Sequence, residues 1–126
     1  MSKDFKSITS DISAGTAELR KLIPDTMNSF GAMSKAATQT KVLDEKTKEL
    51  IALALGVASH CDGCIGFHTR SLARLGATRE EIGETLGMAI YMGGGPSLMY
   101  AADALRAFDQ FAQPKPAVAA LTAGSQ

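Results

Sequence analysis

The sequence predicts an all-α fold, a compact helical domain of about six helices with a CxxC pair at a helix N-terminus. Three observations carry that expectation. Ala, Leu, Met and Ile dominate, while β-branched and aromatic runs with period-two alternation are scarce. Glycine and proline punctuate the apolar stretches at Pro24, Gly76 and Gly93-Gly94-Gly95-Pro96. Thr78-Arg79-Glu80-Glu81 reads as a capping box, with Thr at the N-cap and Glu at N3.

Taken in order, the first helix is expected from about Ser10 to Leu22, with Ile12, Ala17, Leu19 and Ile23 as its loosely recurring apolar positions. Pro24 ends it or opens the next element, in which Met27, Phe30 and Met33 are expected as buried anchors. Ala36 to Lys41 reads as a loop. Asp44 is a good N-cap for a helix from Glu45 to Ser59. Leu50, Ile51, Ala54, Leu55, Val57 and Ala58 make its second half apolar almost all round, which suits a core or a subunit interface. After a polar break at His60 to Gly63, a helix from Cys64 to Leu75 ends on Gly76 at C′. The capping box opens a helix carrying Ile82, Leu86, Ala89 and Ile90. The glycine run breaks it, and Pro96 at N1 starts a last helix with Leu98, Ala101, Ala102, Leu105 and Phe108 on its inner face. Gln113 to Pro116 closes the fold. Residues 1–113 thus read as a single domain and residues 114–126 as a flexible tail.

Composition narrows the function. In 126 residues, 13 Lys+Arg balance 13 Asp+Glu, so no charge excess points to nucleic acid or anionic lipid. No apolar run approaches the roughly 18–20 residues of a membrane span, and the N-terminal segment lacks a secretory pattern. The expected location is the cytoplasm. There, two cysteines are not a disulfide framework and point to redox or metal chemistry.

Both cysteines and both histidines lie in His60-Cys61-Asp62-Gly63-Cys64-Ile65-Gly66-Phe67-His68. On a helix, Cys61, Cys64 and His68 fall at i, i+3 and i+7, on one face. A helix N-terminus lowers a thiol pKa, and a histidine one turn away takes or returns the proton. The pair can cycle between dithiol and disulfide, or one thiolate can form a sulfenate that the other resolves. Two buried inert cysteines, or a nominal Cys₂His₂ metal set including His60, are the other readings. Glu49 precedes a stripe of small apolar residues, Ala52, Leu53 and Gly56, so its carboxylate faces either an interior cleft or, as a first-turn Glu, the solvent. Met88, Met92 and Met99 read as core or interface filler, Tyr91 and Tyr100 as core, and Arg70, Arg74 and Arg79 as solvated. The glycine run lacks the GxxxxGK[ST] pattern and follows a helix, so it is no phosphate loop, and no cofactor is expected.

Glu49-x11-Cys61-x2-Cys64-x3-His68 resembles the motif of the alkylhydroperoxidase D-like / carboxymuconolactone decarboxylase family. Lys48-Glu49-Leu50-Ile51-Ala52-Leu53, Leu75-Gly76-Ala77-Thr78 and Met92-Gly93-Gly94-Gly95-Pro96 extend the similarity over about Leu43 to Phe111. The resemblance implies a helical homo-oligomer, commonly a trimer or hexamer, with thiol-dependent peroxidase or disulfide reductase activity. It implies that Cys64 attacks a hydroperoxide, that His68 with Glu49 through a water relays protons, and that Cys61, the more accessible cysteine, closes the disulfide. It further implies a dithiol electron donor, a lipoyl-bearing or thioredoxin-like protein. Peroxidase-type motifs carry a histidine just before the second cysteine, where Gly63 stands here. Decarboxylase members act without the CxxC, which ranks lactone decarboxylation behind thiol chemistry.

Overall fold

Six helices form between the start and stop signals of the chain, in a computed structural model that describes residues 2–113. They are α1 (Phe5–Leu22), α2 (Pro24–Thr38), α3 (Glu45–Ala58), α4 (Asp62–Arg74), α5 (Arg79–Gly93) and α6 (Gly95–Ala112). No strand occurs among the described residues, and the all-α expectation holds. The expected tail, residues 114–126, lies outside them. No helix among them is long and apolar enough to cross a membrane.

The core is built where α3, α4, α5 and α6 meet, with α1 laid across α4. Leu53 and Val57 of α3, Ile65 and Leu72 of α4, and Ile82 of α5 are fully buried there. Each such side chain contributes about 1.5–3 kcal/mol relative to remaining exposed. On α6 the packed face is Ser97, Ala101, Ala104, Ala107 and Phe108. The small residues let α4 and α5 lie close to its backbone. Leu98 and Ala102, expected on this face, are exposed instead. The inner stripe is rotated toward the alanines, with Leu105 packed at its edge.

The N-terminal helix starts five residues earlier than expected, at Phe5. Asp4 caps it, accepting from the Lys6 N–H at 3.1 Å and the Ser7 hydroxyl at 2.9 Å. Phe5 is fully buried against α4. Gly66 makes that approach possible, because a Cβ there would sit 2.6 Å from Thr9 Cγ2 and 3.6 Å from Phe5 Cδ1. The side chain of Gln110 holds the segment down, accepting from the Phe5 N–H at 2.8 Å and donating to the Lys3 carbonyl at 2.9 Å.

Pro24 opens α2 rather than merely ending α1, and the helix runs through half of the expected loop to Thr38. None of its residues is buried. Phe30 and Met33, expected as core anchors, are exposed, and Met27 is half-buried. The helix packs mainly on α1 at the edge of the bundle, so its apolar face meets no core. The α3 pattern also resolves into two faces. Leu53 and Val57 turn inward, while Ile51 and Leu55 are exposed. Met88, Met92 and Met99, read as core or interface filler, are exposed, as is Tyr91, read as core.

Two helix ends share one construction. At the end of α4, the Gly76 N–H donates to Ala73 O and the Ala77 N–H to Leu72 O, with Gly76 at φ 77°. At the end of α3, the His60 N–H donates to Val57 O and the Cys61 N–H to Gly56 O, with His60 at φ 54°. Both are Schellman ends, and the second places a histidine in the left-handed conformation that usually takes glycine. His60 is held there by stacking on Tyr100, ring centroids 4.6 Å apart.

Surface pairs fasten the outer turns. Arg79 donates two parallel bonds to Asp109, at 2.9 and 3.0 Å, and Lys46 pairs with Glu81 at 2.9 Å. Arg79 thereby lowers the Asp109 pKa, and Lys46 that of Glu81. Folded values below the unfolded ones mean stability that is present above the unfolded carboxylate range, about pH 4, and lost as pH falls through the folded values. Thermal melts should therefore show the melting temperature dropping below about pH 4. Asp109→Asn should melt lower than the parent at pH 7 and lose less on acidification; an unchanged acid slope would remove this pair from the account.

Candidate active site

The candidate site stands where the start of α4 meets α3. Cys61 is the N-cap of α4, and its Sγ accepts from the Cys64 N–H at 3.1 Å. This starts the helix at Asp62, two residues before the sequence reading put it. Asp62 in the first turn also suits the helix dipole. Cys61 and Cys64 are joined as a disulfide, with Cα atoms 5.2 Å apart. The dithiol–disulfide pairing inferred from their spacing is thus sterically available without backbone movement.

Cys64 can lie against α3 because residue 56 is glycine. A Cβ on Gly56 would approach the Cys64 Cβ to 2.8 Å and the Cys64 backbone to 3.7 Å. That close approach brings Glu49, about two turns before Gly56 on α3, over to α4. Glu49 is buried, its side chain 7 % exposed, and its Oε2 meets His68 Nδ1 at 2.5 Å. Of the two readings of Glu49, the interior one holds. The link to His68 is direct, not through the water that the resemblance implied. No buried side-chain polar atom among the described residues lacks a partner.

The four residues named from the sequence, Glu49, Cys61, Cys64 and His68, all line one cavity of about 660 Å³. Ile12 of α1, Phe30 of α2 and Phe67 of α4 supply its apolar wall. Ser34, Arg70 and Ser71 bring the polar groups. Cys64 and His68 also line a smaller opening of about 270 Å³ on the α3 side, which Cys61 does not reach.

The sequence reading missed four features here. Ile12 closes over Gly63, where a Cβ would meet its Cδ1 at 2.8 Å, so an aliphatic side chain sits beside the cysteine pair. Tyr100, half-buried and packed on the core as expected, also backs His60. Lys3 donates to Asp62 and to Asp103, both at 2.9 Å, which raises its pKa and bolts the first residue of α4 to α6. Arg79, read as solvated, is paired, as is Arg74 with Glu45 at 3.2 Å. Only the Gly63 signal was visible in the sequence. The others join residues from distant parts of the chain.

The nominal Cys₂His₂ set is not assembled. His60 turns to Tyr100, the cysteines bond each other, and among the described residues no group of three or more His, Cys, Asp or Glu is placed to hold a metal ion.

Residues 24–107 match the carboxymuconolactone decarboxylase family. An uncharacterized protein of Cupriavidus necator is 44 % identical over 109 residues, 86 % of this chain and 96 % of that protein. Uncharacterized protein 4 in the cox locus of Paracoccus denitrificans is 36 % identical over 83 residues, 66 % of this chain and 75 % of that one. The crystal structure of a carboxymuconolactone decarboxylase family protein from Legionella pneumophila, in its apo form, superposes with a TM-score of 0.85 at 59 % identity, covering 86 % of this chain and 97 % of that one. A family protein from Thermotoga maritima, for which involvement in an antioxidative response has been suggested, shares the fold with a TM-score of 0.70 at 24 % identity, covering 92 % and 97 %.

A buried carboxylate held by one imidazole makes a double-mutant cycle informative. His68→Ala should cost about 1–3 kcal/mol in denaturant unfolding, because Glu49 is left without its partner. Adding Glu49→Ala should then cost less than it does alone. Strictly additive losses would mean that the two side chains do not support each other.

Proposed function

The chain belongs to the carboxymuconolactone decarboxylase family, and from that premise we propose that it is a thiol peroxidase, reducing hydroperoxides through Cys61 and Cys64. The observation that carries this reading is the buried Glu49–His68 pair on the same cavity wall as the CxxC cysteines. A redox pair alone exchanges disulfides. A carboxylate–imidazole pair beside it adds a proton path, which cleavage of an O–O bond requires.

In the reduced enzyme, His68 accepts the Cys64 proton, and Glu49 orients the imidazole and stabilises the charge that forms. The Cys64 thiolate attacks the outer hydroperoxide oxygen. An S–O bond forms, the O–O bond breaks, and the departing alkoxide takes the proton from His68 to leave as an alcohol. Cys64 is now a sulfenic acid, oxidised by two electrons. The Cys61 sulfur then attacks the Cys64 sulfur. The S–S bond forms, the S–O bond breaks, and hydroxide leaves as water with the proton that Cys61 gives up. A dithiol donor returns two electrons and two protons, itself becoming a disulfide. A lipoyl-bearing or thioredoxin-like protein is the donor class in this reading, and the reducing cytoplasm is the compartment that suits it.

Cys64 is assigned the attacking role because it shares both openings with His68. Cys61, at the N-cap, has its sulfur on the Cys64 backbone N–H, which favours its thiolate as the resolving and donor-facing thiol. A disulfide reductase with little peroxidase turnover is the second reading. Gly63 favours it, since no imidazole stands next to Cys64 in the chain.

We also propose a homo-oligomer, a trimer or hexamer. Ile51 and Leu55 of α3 and Met88 of α5 line an apolar groove of about 360 Å³ on the outer face, a surface of the kind that subunits cover. Leu55→Glu should shift the mass measured by light scattering toward the monomer; an unchanged mass would move the interface elsewhere.

Adding one equivalent of cumene hydroperoxide to the reduced protein should consume both thiols and yield an intramolecular disulfide by intact mass. Cys61→Ser should trap a sulfenate on Cys64, and Cys64→Ser should abolish peroxide consumption. Thiols that survive peroxide but exchange with a disulfide substrate would support the reductase reading, and peroxide loss in Cys64→Ser would overturn the assignment.

A further inference from the structure

We infer that the cavity selects an amphipathic substrate, an apolar chain ending in a carboxylate, and that Arg70 is the residue that recognises the acid. The inference rests on the thiol peroxidase reading and names its substrate class as a fatty-acid hydroperoxide.

Two observations meet in it. The first is the aliphatic and aromatic wall. Ile12, Phe30 and Phe67 line, together with the cysteines, a cavity of about 660 Å³, large enough for a chain of many carbons and far larger than hydrogen peroxide needs. The lack of a side chain at Gly63 lets Ile12 close down there and become part of that wall.

The second is the cation. Arg74, Arg79 and Arg106 each engage a carboxylate. Among the described residues, no carboxylate pairs with Arg20 or Arg70, and of these two only Arg70 lines the cavity. Arg70 lies one turn beyond Phe67 on α4, and helical side chains lean toward the N-terminus, here toward the cysteines. Its guanidinium is 4.9 Å from the Phe67 ring centroid, so the exposed side chain lies over the apolar wall, and Arg70 lines the cavity. The planar fork suits a carboxylate. Glu49 is the one acid in the lining, and His68 already holds it.

An acyl chain laid along Ile12, Phe30 and Phe67 with its carboxylate on Arg70 would present a hydroperoxide from mid-chain to Cys64. A neutral hydroperoxide of the same length keeps the apolar contacts and loses the anchor.

The test compares linoleic acid hydroperoxide with its methyl ester, using dithiothreitol as the reductant, in the wild-type protein, Arg70→Gln and Arg70→Lys. In the wild type the acid should exceed the ester in kcat/KM by about tenfold, the scale of one charge-assisted bidentate contact. That ratio should fall toward one in Arg70→Gln and lie between in Arg70→Lys. Equal rates for acid and ester in the wild type, or an unchanged ratio in Arg70→Gln, would overturn the inference while leaving the peroxidase intact. Calorimetric binding of laurate, which carries no peroxide, reads the site without turnover. Laurate binding that weakens about tenfold in Arg70→Gln supports the acid site even where no hydroperoxide is consumed, in which case the peroxidase reading alone fails. Laurate binding that is absent, or indifferent to residue 70, overturns it.

Discussion

The Glu49–His68 contact is the constraint on which the rest depends. A carboxylate this deeply buried is costly unless something bonds it, and His68 is the partner. To supply that partner, α4 must dock on α3 in one register, nineteen residues along the chain. The docking needs Gly56, since any larger residue would push Cys64 away. It needs a tight reversal between the helices, which the Schellman end at His60 provides. The geometry that satisfies the buried acid is therefore the same geometry that delivers both cysteines to the cavity.

The remaining elements hold this arrangement from outside. Lys3 clamps the first residue of α4 to α6 through Asp62 and Asp103. Tyr100 of α6 backs His60, with Lys3 5.0 Å from its ring centroid. Gly66 lets α1 come down on α4, and α1 then carries Ile12 to the rim of the cavity. The N-terminal segment and the last helix thus act together on the start of α4, from opposite ends of the sequence.

Much of this was readable in the sequence, and the pattern of what was not has a physical reason. Helix starts at Asp44 and Thr78 and the end at Gly76 are local signals, and the structure uses all three. The convergence of Cys61, Cys64 and His68 follows from helical spacing alone. Glu49 was undecided because its burial depends on α4, not on its own neighbours. His60 gave no warning of its left-handed backbone, because the stacking that holds it comes from Tyr100, forty residues away. Phe5 was missed since one aromatic has no period to detect. Phe30 and Met33 misled for the opposite reason: apolarity marks a residue for burial without saying against what, and α2 reaches no core.

Cys61 has one more consequence. The sulfur that forms half of the disulfide is also the acceptor that starts α4. A thiolate accepts hydrogen bonds at least as well as a disulfide sulfur, so the helix keeps its first turn capped in both oxidation states. Electron transfer then requires little reorganisation of the backbone. In the proposed cycle, motion is confined to the sulfur atoms and to whatever enters and leaves the cavity, which places control of turnover with access rather than with refolding.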